Sequence, residues 1–145
     1  MPPVLHFNRL GDWPELRDGE PLFRRAALAS LQLRGEREGE VSYTFVSVEE
    51  IRKLNRDYLD RDRPTDVIAF DLGDGQSLLG DVYLSPEVAA SNAADRDEGV
   101  QKEILRLVVH GSLHIIGLNH PEGAKRESAH MFVVQEELLR SLADG

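Results

Sequence analysis

From about residue 97 to residue 116 the chain carries apolar residues on nearly every side of a helix, among them Val100, Ile104, Leu105, Val108, Val109, Leu113 and Ile116. A surface helix needs only one apolar stripe, so a helix apolar almost all round belongs in the middle of a protein. Other elements must therefore wrap it. With 145 residues the chain forms one domain, residues 1–145, which buries roughly two thirds of its unfolded surface. The wrapping elements are legible. Strands are expected over 4–7, 41–48, 67–70 and 78–84, the last two as hairpin partners across Asp74-Gly75. A helix starts at Pro21 and is ended by Gly35. Another opens on the capping box Ser47-x-x-Glu50 and puts Ile51, Leu54 and Tyr58 on one face. A third starts at Ser85-Pro86. The last runs over 124–142, with Met131, Val134, Leu138 and Leu142 along one side. Strands and helices interleave irregularly, which predicts an α+β fold with a small mixed β-sheet packed with helices around the central one.

That central helix carries chemistry. His110 and His114 stand at i and i+4, so their rings project from one face. Gly117 lets the chain leave the helix in a left-handed conformation and bring His120 back towards the pair. The chain has five histidines, and three of them fall within these 11 residues. Polar rings on so apolar a helix need partners. Three imidazoles with an open fourth position make a catalytic rather than a structural metal site. Cysteine is absent, so no thiolate competes. The ligand set suits one divalent ion, zinc first, although nickel, cobalt and iron also accept imidazole. Three neutral ligands leave the metal its full charge, which lowers the pKa of bound water towards ~7.

The spacing H-x-x-x-H-x-x-G-x-x-H is that of the metzincin peptidases. Those enzymes carry Glu directly after the first His as general base; here that position is Gly111, so the cage is present without the peptidase base. Met131 falls in the expected last helix and is read as core rather than as a methionine turn.

Charge refines the picture. The net charge is −9, which argues against a protein that simply coats nucleic acid. Yet residues 51–63 hold five basic groups against three acids, whereas residues 64–103 hold nine acids against two bases. A local basic patch on an acidic body follows. Arg61 and Arg63 are the candidates for phosphate contact, because guanidinium binds phosphate bidentately; pairing with Asp60 or Asp62 is the competing reading. No window is long and apolar enough to span a membrane, and the first residues lack a signal-peptide pattern, so the expectation is a cytoplasmic protein with no membrane partner.

The run His110-Gly-Ser-Leu-His114-Ile-Ile-Gly117-Leu-Asn-His120 resembles the signature of the YbeY family of bacterial endoribonucleases, which are rRNA maturation factors. Further blocks agree in order: Leu54-Asn55-x-x-Tyr58, Pro64-Thr65-Asp66-Val67-Ile68-Ala69-Phe70, Gly80-Asp81-Val82-Tyr83-Leu84-Ser85, and Met131-Phe132 ahead of Glu136-Glu137. The resemblance implies a zincin-like α+β fold and zinc held by His110, His114 and His120. It implies a metal-dependent endoribonuclease specific for single-stranded RNA, acting in 3′ maturation of small-subunit (16S) rRNA and in ribosome quality control. Ribosome or ribosomal proteins would be its partners. The chain departs from the family twice. Leu59 stands where the family usually has Arg, and Arg61 or Arg63 would supply that charge. Asn119 stands where the family usually has Asp, and an amide is no base. Arg61 and Asn119 are therefore the protein's candidate contributions to catalysis beside the activated water.

Two other functions compete: a non-catalytic ribosome-assembly factor with a structural metal, and a metallopeptidase, which Gly111 disfavours. Remaining residues have plainer readings. Asp66 and Asp81 are candidate hydrogen-bond partners for a ligand His. Glu103 and Arg106 pair with each other. Asp95, Asp97 and Glu98 suit a helix start. Ser112 and Tyr58 pack, and His6 and His130 are not ligands.

Overall fold

A computed structural model describes residues 1–118 and 125–144. Strand β1 (Val4–Asn8) leads through two short 3₁₀ turns into helix α1 (Glu20–Leu31), strand β2 (Gly39–Phe45) and helix α2 (Val48–Leu59). Strands β3 (Val67–Asp71) and β4 (Leu78–Leu84) follow, then helices α3 (Pro86–Asp95), α4 (Val100–Ile115) and α5 (Lys125–Asp144). The four strands form one mixed sheet in the order β1-β2-β4-β3. β1 and β4 both pair parallel to β2, and β3 pairs antiparallel to β4, as the hairpin signal predicts. A parallel pair requires a crossover, which α1 supplies between β1 and β2. This is a single-domain α+β fold, and no helix among the described residues is long and apolar enough to cross a membrane.

The core lies between the sheet and α4. Val41, Tyr43 and Phe45 of β2 and Leu78, Val82 and Leu84 of β4 alternate inward and are buried. Helix α4 meets them, and α1, α3 and α5 pack around it. It is buried along almost its whole length, as its composition demands. Tyr43 is fully buried, its hydroxyl 2.5 Å from Ser112 Oγ on α4. Burial pushes that phenol well above its ordinary pKa, so it stays neutral and ties the sheet to the helix. A smaller apolar cluster, Val46, Ile51 and Ile68, fastens α2 to the sheet near β3.

Local signals decide several boundaries. The Ser47 side chain accepts from the Glu50 backbone N–H, and Glu50 reaches back to the Ser47 N–H. That box ends β2 at Phe45 and draws Val48 into the helix, three residues short of the expected strand end. Helix α1 stops at Leu31, and the residues before Gly35 form a turn instead. Helix α4 starts at Val100 rather than near Asp97. Asp97 adopts the left-handed conformation, φ 55°, and the Glu98 N–H closes onto Ala93 O at 2.9 Å. Asp95 and Asp97 therefore finish α3 instead of opening α4, a role Asp tolerates because its short polar side chain eases that backbone region. Tyr58 is not core: it is 69% exposed, with its ring 5.6 Å from Phe70. The face of α2 turned inward runs through Ile51 and Asn55, and Asn55 is held by donating to Arg63 O.

Candidate metal centre

His110 and His114 lie one turn apart near the C-terminal end of α4, with ring centroids 5.5 Å apart and planes tilted by 59°. Both rings are half-buried. Burial first, and the neighbouring His110 second, hold the His114 pKa below the ordinary imidazole value. Its ring is therefore neutral at neutral pH, the form that donates a lone pair to a metal. His120, the third expected ligand, and Asn119 lie outside the described residues. Among the described residues no set of three His, Asp or Glu is placed to hold a metal ion. The donor chemistry of the two described rings fits a divalent cation: two imidazoles on one helix face, one of them oriented through its other nitrogen.

That orienting group is Gln135 of α5, whose Oε1 lies 2.8 Å from His110 Nδ1. The sequence reading offers Asp66 and Asp81 for this role. Asp66 does stand in the wall of the same cleft, but its carboxylate takes a hydrogen bond from Asn92 at 3.2 Å. A signal for Gln135 exists in the sequence. The buried line of α5 is Met131, Gln135 and Leu139, at steps of four, with Val134, Leu138 and Leu142 only partly buried. A lone amide at the middle of an apolar line marks a polar partner across the interface. Met131 is buried core inside that helix, as expected.

His110 opens onto a cleft of 410 Å³ whose walls include Asp66, Val67, Met131, Phe132 and Gln135. Its lining also includes Glu103 and Arg106, the buried members of a larger charge cluster. Arg106, 7% exposed, donates to Glu103 at 2.5 Å, to Glu98 at 3.2 Å and to Glu136 at 3.3 Å. The expected Glu103–Arg106 pair is thus present within a larger set, and Glu98 belongs to this cluster rather than to a helix start.

Arg61 and Arg63 line a second pocket of 370 Å³ together with Asn55, Leu59 and Thr65. Val67 borders both cavities, so the two adjoin. Asp62 is taken by Arg52 at 2.9 Å. Among the described residues neither Arg61 nor Arg63 forms an ion pair, so the competing reading of a local pair with Asp60 or Asp62 is not what the loop adopts. Leu59 lines the same pocket. His6 lies on β1, 3.8 Å from Glu40, and His130 is exposed on α5.

Gly111 explains why no peptidase base is present. It packs against β4, and a Cβ there would lie 2.7 Å from Val82 Cγ1. A glutamate has no room. Even Gly111→Ala is expected to destabilise the fold by about 1–2 kcal/mol, because overpacking against a stiff β-branched neighbour outweighs the better helix propensity of Ala. Urea unfolding measures this; an unchanged or raised midpoint would show that Val82 moves aside freely.

Known proteins can now be set beside this arrangement. The family model for the endoribonuclease YbeY matches residues 20–143. The endoribonuclease YbeY of Desulfitobacterium hafniense is 36% identical over 151 aligned residues, which cover 90% of this chain and 93% of that one. The endoribonuclease YbeY of Shouchella clausii is 37% identical, covering 81% of each chain. A Thermotoga maritima protein solved in solution has a TM-score of 0.66 at 27% identity, over 96% of this chain and 89% of that one, and so shares the fold. Matched along most of its length by the family model, and more than a third identical to relatives of nearly the same extent, the chain belongs to the endoribonuclease YbeY family.

Proposed function

We propose that this chain is a metal-dependent endoribonuclease specific for single-stranded RNA, acting in 3′ maturation of small-subunit (16S) rRNA and in ribosome quality control. Kinship with endoribonucleases supports the coarser part, a nuclease that hydrolyses RNA phosphodiester bonds. The observation that supports the finer part is the pair of half-buried imidazoles, His110 and His114, the first of them in the wall of a cleft that adjoins two arginines with no ion pair among the described residues. Zinc, held by His110, His114 and His120, would supply Lewis acidity and a nucleophile at neutral pH. The protein's own groups do the rest. Gln135 keeps the His110 ring oriented. Arg61 and Arg63 grip the phosphate next to the one that is cut and offset its charge. Asn119, beside His120, offers hydrogen bonds to the reacting groups but takes no proton. Ribosomal partners and a cytoplasmic location belong to the same proposal.

The test uses labelled single-stranded RNA and purified protein. Chelation is expected to abolish cleavage, zinc to restore it, and a duplex of the same sequence to survive. Cleavage that persists in chelator would overturn metal dependence. No cleavage in any metal would leave the non-catalytic assembly factor, and ribosome co-sedimentation would then be the measurement to make.

A further inference from the structure

The neighbourhood of His110 contains a chain of hydrogen bonds whose donors and acceptors admit only one assignment. Glu136 Oε2 lies 3.2 Å from Gln135 Nε2 and 3.3 Å from Arg106 Nε. A carboxylate only accepts, so the Gln135 atom beside it is the amide NH₂. The other end of that amide, Oε1, is then the atom 2.8 Å from His110 Nδ1. An amide oxygen only accepts as well, so Nδ1 carries the hydrogen. In a neutral imidazole the remaining nitrogen, Nε2, is then the one acceptor. The Glu136 carboxylate is in turn fixed by Arg106, which is pinned at its far end by Glu98 and by Glu103, itself only 2% exposed.

We propose that Gln135 is a positioning residue: with Glu136 and Arg106 behind it, it locks His110 in the Nδ1–H tautomer and so presents Nε2 as a ready-made metal ligand. This rests on the reading of His110 as a ligand. The lock works through directionality. An amide alone presents either end to a histidine, and both tautomers then find a partner. Placing a carboxylate against the NH₂ end removes that freedom, and a carboxylate held by a buried guanidinium is not free to turn away. The ring enters metal binding already in the right form, with no reorganisation left to pay in affinity.

The experiment is long-range proton–nitrogen correlation on metal-free protein labelled at histidine nitrogen, at about pH 8, well above the ordinary imidazole pKa. Zinc affinity is measured beside it by competition with a chelating dye. Wild-type His110 is expected wholly as the Nδ1–H form. Gln135→Leu, which places an apolar side chain at a buried position and so keeps the fold, is expected to give a tautomer mixture and roughly 10–100-fold weaker zinc binding. Glu136→Gln is expected to shift the tautomer in the same direction by less, since the Gln135 amide is then free to flip. Gln135→Glu keeps an acceptor at Nδ1 and is expected to restore the Nδ1–H form. An Nε2–H ring in the wild type, or an Nδ1–H ring in Gln135→Leu, would overturn the proposal. So would a changed tautomer with unchanged zinc affinity, because the lock would then do nothing for the metal. If the wild type shows the stated tautomer yet binds no zinc, the ligand reading fails while the hydrogen-bond assignment stands, so the two failures are distinct.

Discussion

Replacing His114 with Ala is expected to abolish cleavage of single-stranded RNA, a loss greater than the roughly hundredfold that follows from disturbing a residue behind a metal ligand. His114 is the ring that burial and His110 hold in the neutral form, so its lone pair is available at working pH. Alanine is the best helix former, and position 114 is the penultimate residue of α4, so stability is expected to change by no more than about 1 kcal/mol. Cleavage rates on labelled RNA, with circular dichroism as the check on folding, decide the matter. A folded variant as active as the wild type would point to a contaminating nuclease and remove His114 from the site.

Truncating Arg106 is expected to cause the largest loss of stability of any single change near the site. Its guanidinium is the shared partner of Glu98, Glu103 and Glu136, and Glu103 is almost completely buried. Arg106→Ala removes the cation common to three carboxylates, leaving Glu103 to Arg96 at 3.7 Å and Glu98 to the exposed Lys102 at 3.5 Å. Breaking a buried pair in this way costs about 3–5 kcal/mol. For a domain of this size that is a fall in melting temperature of roughly 10 °C. The sign with pH follows from Glu98, whose pKa Arg106 holds below the ordinary carboxylate value. A depressed carboxylate pKa contributes stability above the unfolded-state value and loses it as the pH falls. The gap between wild type and Arg106→Ala is therefore expected to narrow in acid. Thermal melts at neutral and acidic pH measure it, and a gap that stays constant would show that the cluster is hydrated rather than sealed.

The features legible in the sequence are those settled within a few residues. The capping box at Ser47 and Glu50, the Ser85-Pro86 helix start and the spacing of His110 from His114 each depend on local geometry, and all three stand where the pattern puts them. The hairpin of β3 and β4 is legible for the same reason. What fails is what depends on a partner far along the chain. Tyr58 has the spacing of a core residue, but α2 is turned so that Asn55 faces inward to reach the loop at Arg63. Asp97 suits a helix start by charge, yet the path between α3 and α4 needs a left-handed residue there. Gln135 is paired with His110 across 25 residues, and nothing local announces which helix face will meet it. The order β1-β2-β4-β3 also rests on distant pairing and goes beyond the mixed sheet that periodicity foretells.

That strand order has a consequence for how the chain comes off its template. β4 is the last strand to be made, yet it lies inside the sheet, paired on one edge to β2 and on the other to β3. Until it appears, the edge of β2 that β4 will occupy is open, and the apolar line Val41, Tyr43 and Phe45 lacks its neighbours Val82 and Leu84 on β4. The helix that seals this line, α4, comes later still. Synthesis therefore delivers more than half of the molecule before the main core can close, and the step that commits it is the arrival of residues 78–115 as a unit. The same stretch contains His110 and His114, so closing the core and setting these two rings side by side are one event in the life of the chain.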